Sequence, residues 1–160
     1  MKIGVVSDTH SKPLPEQMIE EFKTVDMIIC VGDFCDLGVY QTLEKIVPVK
    51  AVCGNMDNAQ VRRELPRTRI LECEECRIGL MHGEGPSRTI LSRVKEQFLR
   101  ENVDAIIFGH THDPFNEEID GVLYFNPGSP NDEIFAPYRS YGILDVSGKK
   151  IKGTIVKIKG

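Results

Sequence analysis

All four histidines of this 160-residue chain follow short apolar segments. They are His10, His82, His110 and His112. Histidine binds transition metals and carries protons near neutral pH. Because short apolar segments are typical of buried strands, we expect several strand ends to bring the four imidazoles to one site.

Three oxygen donors occupy the same kind of position. Asp8, Asp33 and Asn55 follow apolar segments as Ser-Asp, Gly-Asp and Gly-Asn. With the histidines they make seven candidate ligands, which is too many for one ion and suits a pair of metals. Carboxylate, imidazole and amide groups favour divalent manganese, iron, zinc, nickel or cobalt over calcium or magnesium, and manganese is our first candidate. Asp33 is the candidate bridge, since one carboxylate can hold two ions roughly 3.5–4 Å apart.

Each of these residues also has a plain structural interpretation. An Asp after a strand is often a helix N-cap, and Gly-Asp or Gly-Asn is a common turn. A lone histidine such as His82 is more often packed or solvated than metal-bound. The pair His110 and His112 carries the most information, because residues two apart on an extended turn point the same way and can reach adjacent metals. Taken together, the residues favour a metal centre.

The first part of the chain alternates between strand and helix patterns. Short buried strands are predicted at 3–6, 27–31, 49–52 and 105–108, and helices at 15–23, 37–46 and 88–100. Such alternation is typical of parallel sheets with helices on their faces, whose ligands bind beyond the carboxyl ends of the strands. We therefore expect all four strand ends to share one edge.

The second part of the chain favours antiparallel or mixed pairing. Strand patterns at 69–73 and 77–81 predict a hairpin, and others follow at 122–125, 141–146 and 150–159. Two packed sheets with helices outside would give an α/β fold, a four-layer α-β-β-α sandwich of two mixed sheets. A chain of 160 residues has the usual size of one domain, expected over residues 1–160.

Composition excludes some functional classes. No apolar run reaches the roughly 18 residues needed to cross a membrane, and the start of the chain does not read as a secretory signal, so we expect a cytoplasmic protein without a membrane span. The net charge of −4, without a basic stripe, argues against general nucleic-acid binding. Small substrates fit this charge better, and oligomeric state is not readable from the sequence.

The five cysteines do not suggest structural disulfides, because their number is odd and several lie in apolar segments. The spacing of Cys73-Glu74-Glu75-Cys76 also occurs in zinc knuckles and redox pairs. Zinc would need two further ligands, and a redox motif would need a preceding strand and a following helix. A hairpin turn is the better interpretation.

Five short motifs carry a resemblance to a known family. They are Asp8-Thr9-His10, Gly32-Asp33, Gly54-Asn55, His82-Gly83 and Gly109-His110-Thr111-His112. Their types and order resemble those of the calcineurin-like metallophosphoesterases. The short chain and Asn126-Pro127-Gly128-Ser129 further resemble the compact bacterial and archaeal phosphodiesterase branch, which is similar in fold to the retromer subunit Vps29. The resemblance implies one metal on Asp8, His10, Asp33 and His112, and a second on Asp33, Asn55, His82 and His110.

This resemblance implies a dinuclear metal-dependent phosphodiesterase that acts on small phosphate esters. A bridging hydroxide would attack phosphorus in line, and the expected catalytic residues are Asp33, Asn55, His82 and His110. One alternative is a phosphomonoesterase or nucleotidase on the same centre. Another is a non-catalytic protein-interaction scaffold like Vps29, against which the completeness of the ligand set argues.

Two positions depart from the pattern of larger family members. Met56 stands where many of them carry a histidine that is thought to protonate the leaving group, and methionine cannot donate a proton. Asp57 matches an acidic residue of the compact branch, and we expect it and Asp36 to be structural rather than ligands. Glu84 stands where some relatives carry another histidine. Without an acid at position 56, activated aryl diesters should react faster than alkyl ones.

Overall fold

The structure is a computed structural model that describes residues 1–160. The strands are β1 (Lys2–Val6), β2 (Met27–Cys30), β3 (Val49–Ala51), β4 (Thr68–Cys73), β5 (Cys76–Met81), β6 (Ala105–Ile107), β7 (Phe115–Ile119), β8 (Val122–Asn126), β9 (Ser140–Ser147) and β10 (Lys150–Lys157). The helices are α1 (Glu16–Phe22), α2 (Leu37–Glu44), α3 (Ala59–Glu64) and α4 (Ile90–Gln97), with a 3-10 turn at Ser87–Thr89. None of the helices combines the length and apolar character that a membrane crossing requires.

The strands form two five-stranded mixed sheets. The first sheet has the order β10-β9-β1-β2-β3, in which β1, β2 and β3 are parallel and β9 is antiparallel to both of its neighbours, β1 and β10. The second has the order β4-β5-β6-β8-β7, in which β5, β6 and β8 are parallel. Its edge strands β4 and β7 are antiparallel to their neighbours.

Three apolar interfaces hold four layers together. Period-two alternation sends Ile3 and Val5 of β1 between the sheets, where Leu80 and Ile107 of the second sheet also lie. Buried residues of α1, α2 and α3, among them Phe22, pack on the outer face of the first sheet. Three residues of the α4 segment pack on the outer face of the second sheet: Ile90, Val94 and Phe98. The expected α-β-β-α sandwich of two mixed sheets is confirmed.

The structure corrects three local expectations. The strand predicted at 105–108 belongs to the second sheet, so the four strand ends meet at the rim of two sheets rather than at the edge of one. Its apolar run fits a buried strand in either sheet, and only long-range pairing decides between them. The sequence interpretation also missed α3, a helix of six residues, and β7, which is almost entirely exposed and therefore lacks the alternation of a half-buried strand.

The predicted hairpin between β4 and β5 is present. Cys73 pairs with Cys76 across Glu74 and Glu75, as expected for a turn. All five cysteines are free thiols.

Candidate metal centre

Five of the seven candidate ligands have an unusual backbone conformation in the turns that follow strands. Asp8 (φ 59°), His10 (49°), Asp33 (55°), His110 (72°) and His112 (61°) are all in the left-handed region. For residues other than glycine this region is sparsely populated and costs on the order of 1–3 kcal/mol each. Such residues persist only where surrounding contacts hold them, and they cluster at functional sites.

The side chains gather into two groups that could each hold a metal ion. Asp8, His10 and His112 form the first group, with the His112 Nε2 atom 3.3 Å from Asp8 Oδ1 and 3.2 Å from His10 Nε2. Asp33, His82 and His110 form the second, in which His82 Nε2 lies 3.0 Å from Asp33 Oδ2. The groups adjoin, because Asp8 Oδ1 is also 3.7 Å from His82 Nε2. Each group combines residues from both sheets.

The hydrogen bonds of the imidazoles point one ring nitrogen of each into the site. His82 Nδ1 lies 2.7 Å from the Val31 carbonyl oxygen, which can only accept a hydrogen bond. Nδ1 is therefore the donor of this bond, and Nε2 is the ring nitrogen that faces the carboxylates. His110 donates instead through Nε2 to the Gly85 carbonyl at 3.0 Å, leaving Nδ1 free. Metal-binding histidines in proteins are usually oriented in this way.

Three buried polar atoms have no hydrogen-bond partner, namely Asp8 Oδ1, His82 Nε2 and Thr9 Oγ1, and the first two belong to candidate ligands. The other oxygen of Asp8 accepts from Ser7 Oγ at 2.6 Å and from the His110 backbone N–H at 3.1 Å. The contact of His82 Nε2 within the site is the ionic one with Asp33 Oδ2. A buried polar atom without a partner costs about 1–3 kcal/mol. A bound cation would satisfy Asp8 Oδ1 and His82 Nε2, so these residues fit the metals that the sequence suggests.

The charges of the site are strongly coupled. Burial by itself raises the pKa of Asp8, but three neighbouring histidines overcome it and hold the pKa well below its usual range. Burial lowers the pKa of His82, but the nearby Asp8 and Asp33 carboxylates raise it to about 9. The pKa of His112 also rises to about 9, through its contact with Asp8 and against the effect of burial. Without metal, protonated imidazoles therefore supply the positive charge beside these carboxylates.

Asp57 shapes the loop that carries Asp33. Its carboxylate accepts backbone N–H groups of Asp33, Cys35 and Gly54 at 2.6–3.0 Å. Burial raises the pKa of Asp57 although these bonds favour its charged form. A side chain with these partners has a structural role, as expected. Asp36 also has one, because it caps α2 by accepting from the Gly38 N–H.

Asn55 is the remaining candidate ligand. Its side chain is exposed, and it lines a cavity of about 620 Å³ that His82 also lines. The next residue, Met56, is 58% exposed, and its backbone N–H donates to Asp33 Oδ1 at 2.7 Å. That bond leaves the second oxygen of Asp33 facing His82.

Residues 126–132 form hydrogen bonds that hold the loops of the site in place. Asn126 Nδ2 donates to the Gly109 carbonyl, and Ser129 Oγ donates to the Asp8 carbonyl at 2.8 Å. Asp132 Oδ2 lies 2.6 Å from His112 Nδ1, which fixes the ring of that histidine. Sequence reasoning missed Asp132, because a carboxylate 20 residues from its partner in a turn-rich segment gives no spacing signal.

The comparison with protein families agrees with this geometry. Residues 1–149 match the family model described as the calcineurin-like phosphoesterase superfamily domain. The chain belongs to this superfamily. Membership supports a hydrolase of phosphate esters that uses divalent metal ions.

Similar proteins fall into two kinds, phosphoesterases and a protein-sorting subunit. A protein of Methanothermobacter thermautotrophicus described as a probable metallophosphoesterase is 36% identical, covering 98% of this chain and 92% of that protein. A phosphodiesterase of Methanocaldococcus jannaschii is 29% identical, covering 98% of this chain and 100% of that protein. The solved structure of vacuolar protein sorting 29 from Cryptosporidium parvum matches with a TM-score of 0.84 at 23% identity, covering 99% of this chain and 91% of that one. That likeness shows the shared fold.

Proposed function

We propose that this protein is a metal-dependent phosphodiesterase with a dinuclear centre. The observation that carries the proposal is the pair of buried, unpartnered atoms, Asp8 Oδ1 and His82 Nε2, inside a cluster of carboxylates and imidazoles. A scaffold without metal would retain these atoms and the strained backbone around them at a cost in stability.

The proposed ligand sets follow the two groups and the loops next to them. His10 and His112 with Asp8 would hold one ion, and His82 and His110 with Asn55 would hold the other. Asp33 would bridge them. Manganese is the first candidate, with nickel, zinc, iron and cobalt as alternatives, because the donors mix imidazole nitrogen with carboxylate oxygen.

Bound ions would lower the pKa of a water from about 15.7 towards neutrality and so supply a hydroxide nucleophile. The chain's own residues then orient the ester. Asn55 is exposed beside the cavity, where its amide could donate to a nonbridging oxygen that gains charge in the transition state. Met56 offers no proton to the leaving group, so groups that depart easily as anions should react fastest.

The test is hydrolysis of bis(p-nitrophenyl) phosphate by metal-stripped protein after separate addition of manganese, nickel, zinc or magnesium. We expect metal-dependent release of nitrophenol, lost in Asp33→Ala and retained in Asp145→Ala, which removes an exposed carboxylate of β9. Folding of both variants is checked by circular dichroism. Folded wild-type protein that releases nothing with any metal would move the assignment to an interaction scaffold.

A phosphomonoesterase or nucleotidase on the same centre is the second candidate. Its two distinguishing substrates are p-nitrophenyl phosphate and a nucleoside 5′-monophosphate, measured beside the diester. Higher kcat/KM on either monoester would replace the diesterase. A cytoplasmic location and small phosphate-ester substrates complete the proposal.

A further inference from the structure

The cavity beside the metal centre is lined by more residues than the proposed chemistry uses. Asn55 and His82 line it, and so do Arg62, Arg67 and Thr68, which have no role in that chemistry. Its volume of about 620 Å³ lies within the roughly 300–1,000 Å³ typical of small-molecule sites. Ligand bound at the metals therefore has room to extend toward the two arginines.

The two guanidinium groups have little to bind within the protein. Arg62 lies in the last turn of α3 with an exposed side chain and forms no ion pair. Arg67 lies 3.8 Å from Glu84, and both side chains are more than half exposed, so this contact contributes little. Two arginines and one glutamate leave the cavity lining positive, in a chain whose net charge is −4. Arginine matches phosphate oxygens with a planar fork of N–H groups.

We infer that Arg62 and Arg67 bind a second phosphate, carried by the part of the substrate that does not react. This inference deepens the proposed phosphodiesterase and rests on it, since the first phosphate must lie at the metals. The preferred substrates are then small diesters that also bear a terminal phosphate monoester. Glu84, 3.8 Å from Arg67, opposes this second phosphate with its negative charge.

The test measures binding rather than turnover. Isothermal titration calorimetry compares thymidine 3′,5′-bisphosphate with thymidine 5′-monophosphate on the full-length, manganese-loaded protein. The ligands differ only in the second phosphate. We expect the bisphosphate to bind at least about tenfold more tightly, because charge-assisted hydrogen bonds to phosphate are among the strong ones.

Four variants locate the effect. Arg62→Gln and Arg67→Gln should each remove most of the bisphosphate advantage. Arg63→Gln is the matched control, because Arg63 is exposed on the same helix but does not line the cavity, and it should keep the advantage. Glu84→Gln should increase the advantage, since it removes a like charge.

The outcomes separate this inference from the proposed function. Three results would overturn the second phosphate site. They are equal affinity for the two nucleotides, no measurable binding of the bisphosphate, and a bisphosphate advantage that survives both Arg62→Gln and Arg67→Gln. If hydrolysis of bis(p-nitrophenyl) phosphate persists in that case, the diesterase stands alone. If the bisphosphate advantage is present but no ester is hydrolysed, the binding site stands and the proposed function fails.

Discussion

The imidazoles of the site are held by acceptors that no short motif encodes. A main-chain carbonyl fixes His82 and another fixes His110, whereas His112 relies on the carboxylate of Asp132. A carboxylate partner also raises the basicity of a metal-binding ring, and loss of such a partner typically costs metal affinity. The pKa of Asp132 falls to about 2 because its contact with His112 and nearby backbone N–H groups overcome the effect of burial.

Asp132→Asn should therefore weaken metal binding by roughly 10–100-fold, since the amide removes the charge behind His112. The measurement is manganese affinity by calorimetry, which does not depend on catalysis. Asp113→Asn is the control, because Asp113 is exposed and its side chain has no partner. Equal affinities for both variants would show that Asp132 serves only the fold of its own loop.

A substitution of Met56 tests whether the protein lacks a general acid for the leaving group. Its side chain is 58% exposed beside the Asp33 loop, so a histidine fits there without repacking a core. Met56→His should raise activity on a poor leaving group by about 10²-fold at most, since general acids contribute typically 10²–10⁴. The measured quantity is the rate ratio between methyl p-nitrophenyl phosphate and methyl phenyl phosphate. Met56→Gln, which is polar but carries no acid, should leave that ratio unchanged. If Met56→His also leaves it unchanged, the missing acid at position 56 does not explain the preference for activated leaving groups.

At the scale of elements, strand ends were the predictable part of the site. Buried strands and helices up to α2 follow their sequence patterns to within about two residues, and Asp8, Asp33 and His82 follow strands as expected. Sheet membership was not predictable for β6, because it depends on pairing with β5 and β8. Asp132 was missed for the same physical reason: its partner is fixed by folding and not by spacing. The ligand role of Asn55 stays a prediction.

Close approach between loops also places the ligands. A Cβ atom at Gly109 would collide with Ser7 Oγ and lie 2.8 Å from Asp8 Oδ2, the two atoms that hydrogen-bond behind the first group. The turn after β6 therefore tolerates no side chain at this position. The glycine permits His110 to donate its backbone N–H to Asp8.

Gly109→Ala should destabilise the protein by about 1–3 kcal/mol and weaken metal binding, because the added methyl group displaces Asp8. Chemical denaturation and manganese titration measure the two effects. The comparison variant is Gly121→Ala, where the backbone has φ 80° but nothing lies within 4 Å of the new Cβ. It should lose stability through backbone strain and keep its metal affinity. If both variants bind metal equally well, packing at Gly109 does not position the site.

Across the whole molecule, the site joins the two sheets. Asp8 and Asp33 come from the first sheet and His82 and His112 from the second, so each candidate metal would link the two halves of the sandwich. The interior between the sheets is apolar, and charged ligands occur only at the rim where the strands end. That residues 1–160 form one domain stays a prediction, but a shared metal centre would make the two sheets unfold together.

Metal binding should therefore stabilise the fold, and more so as pH rises. In metal-free protein the pKa values of His82 and His112 are raised to about 9, from about 6.5 in an unfolded chain. Because these values are raised, their contribution to stability is complete below about pH 6.5 and is lost as pH rises through about 9. Metals require neutral imidazoles, so they compete with fewer protons over the same range.

Thermal unfolding with EDTA or with manganese, between pH 6 and 8.5, measures both effects. We expect the metal-free Tm to fall as pH rises from 6.5, and the gain from metal to grow. A metal concentration one hundred times Kd stabilises by about 2.7 kcal/mol, which is roughly 5–10 °C for a chain of this length. Asp33→Ala should lose most of the gain. If the increase in Tm caused by metal instead shrinks from pH 6.5 to 8.5, protons on His82 and His112 do not compete with the metals. The ions would then have to bind elsewhere.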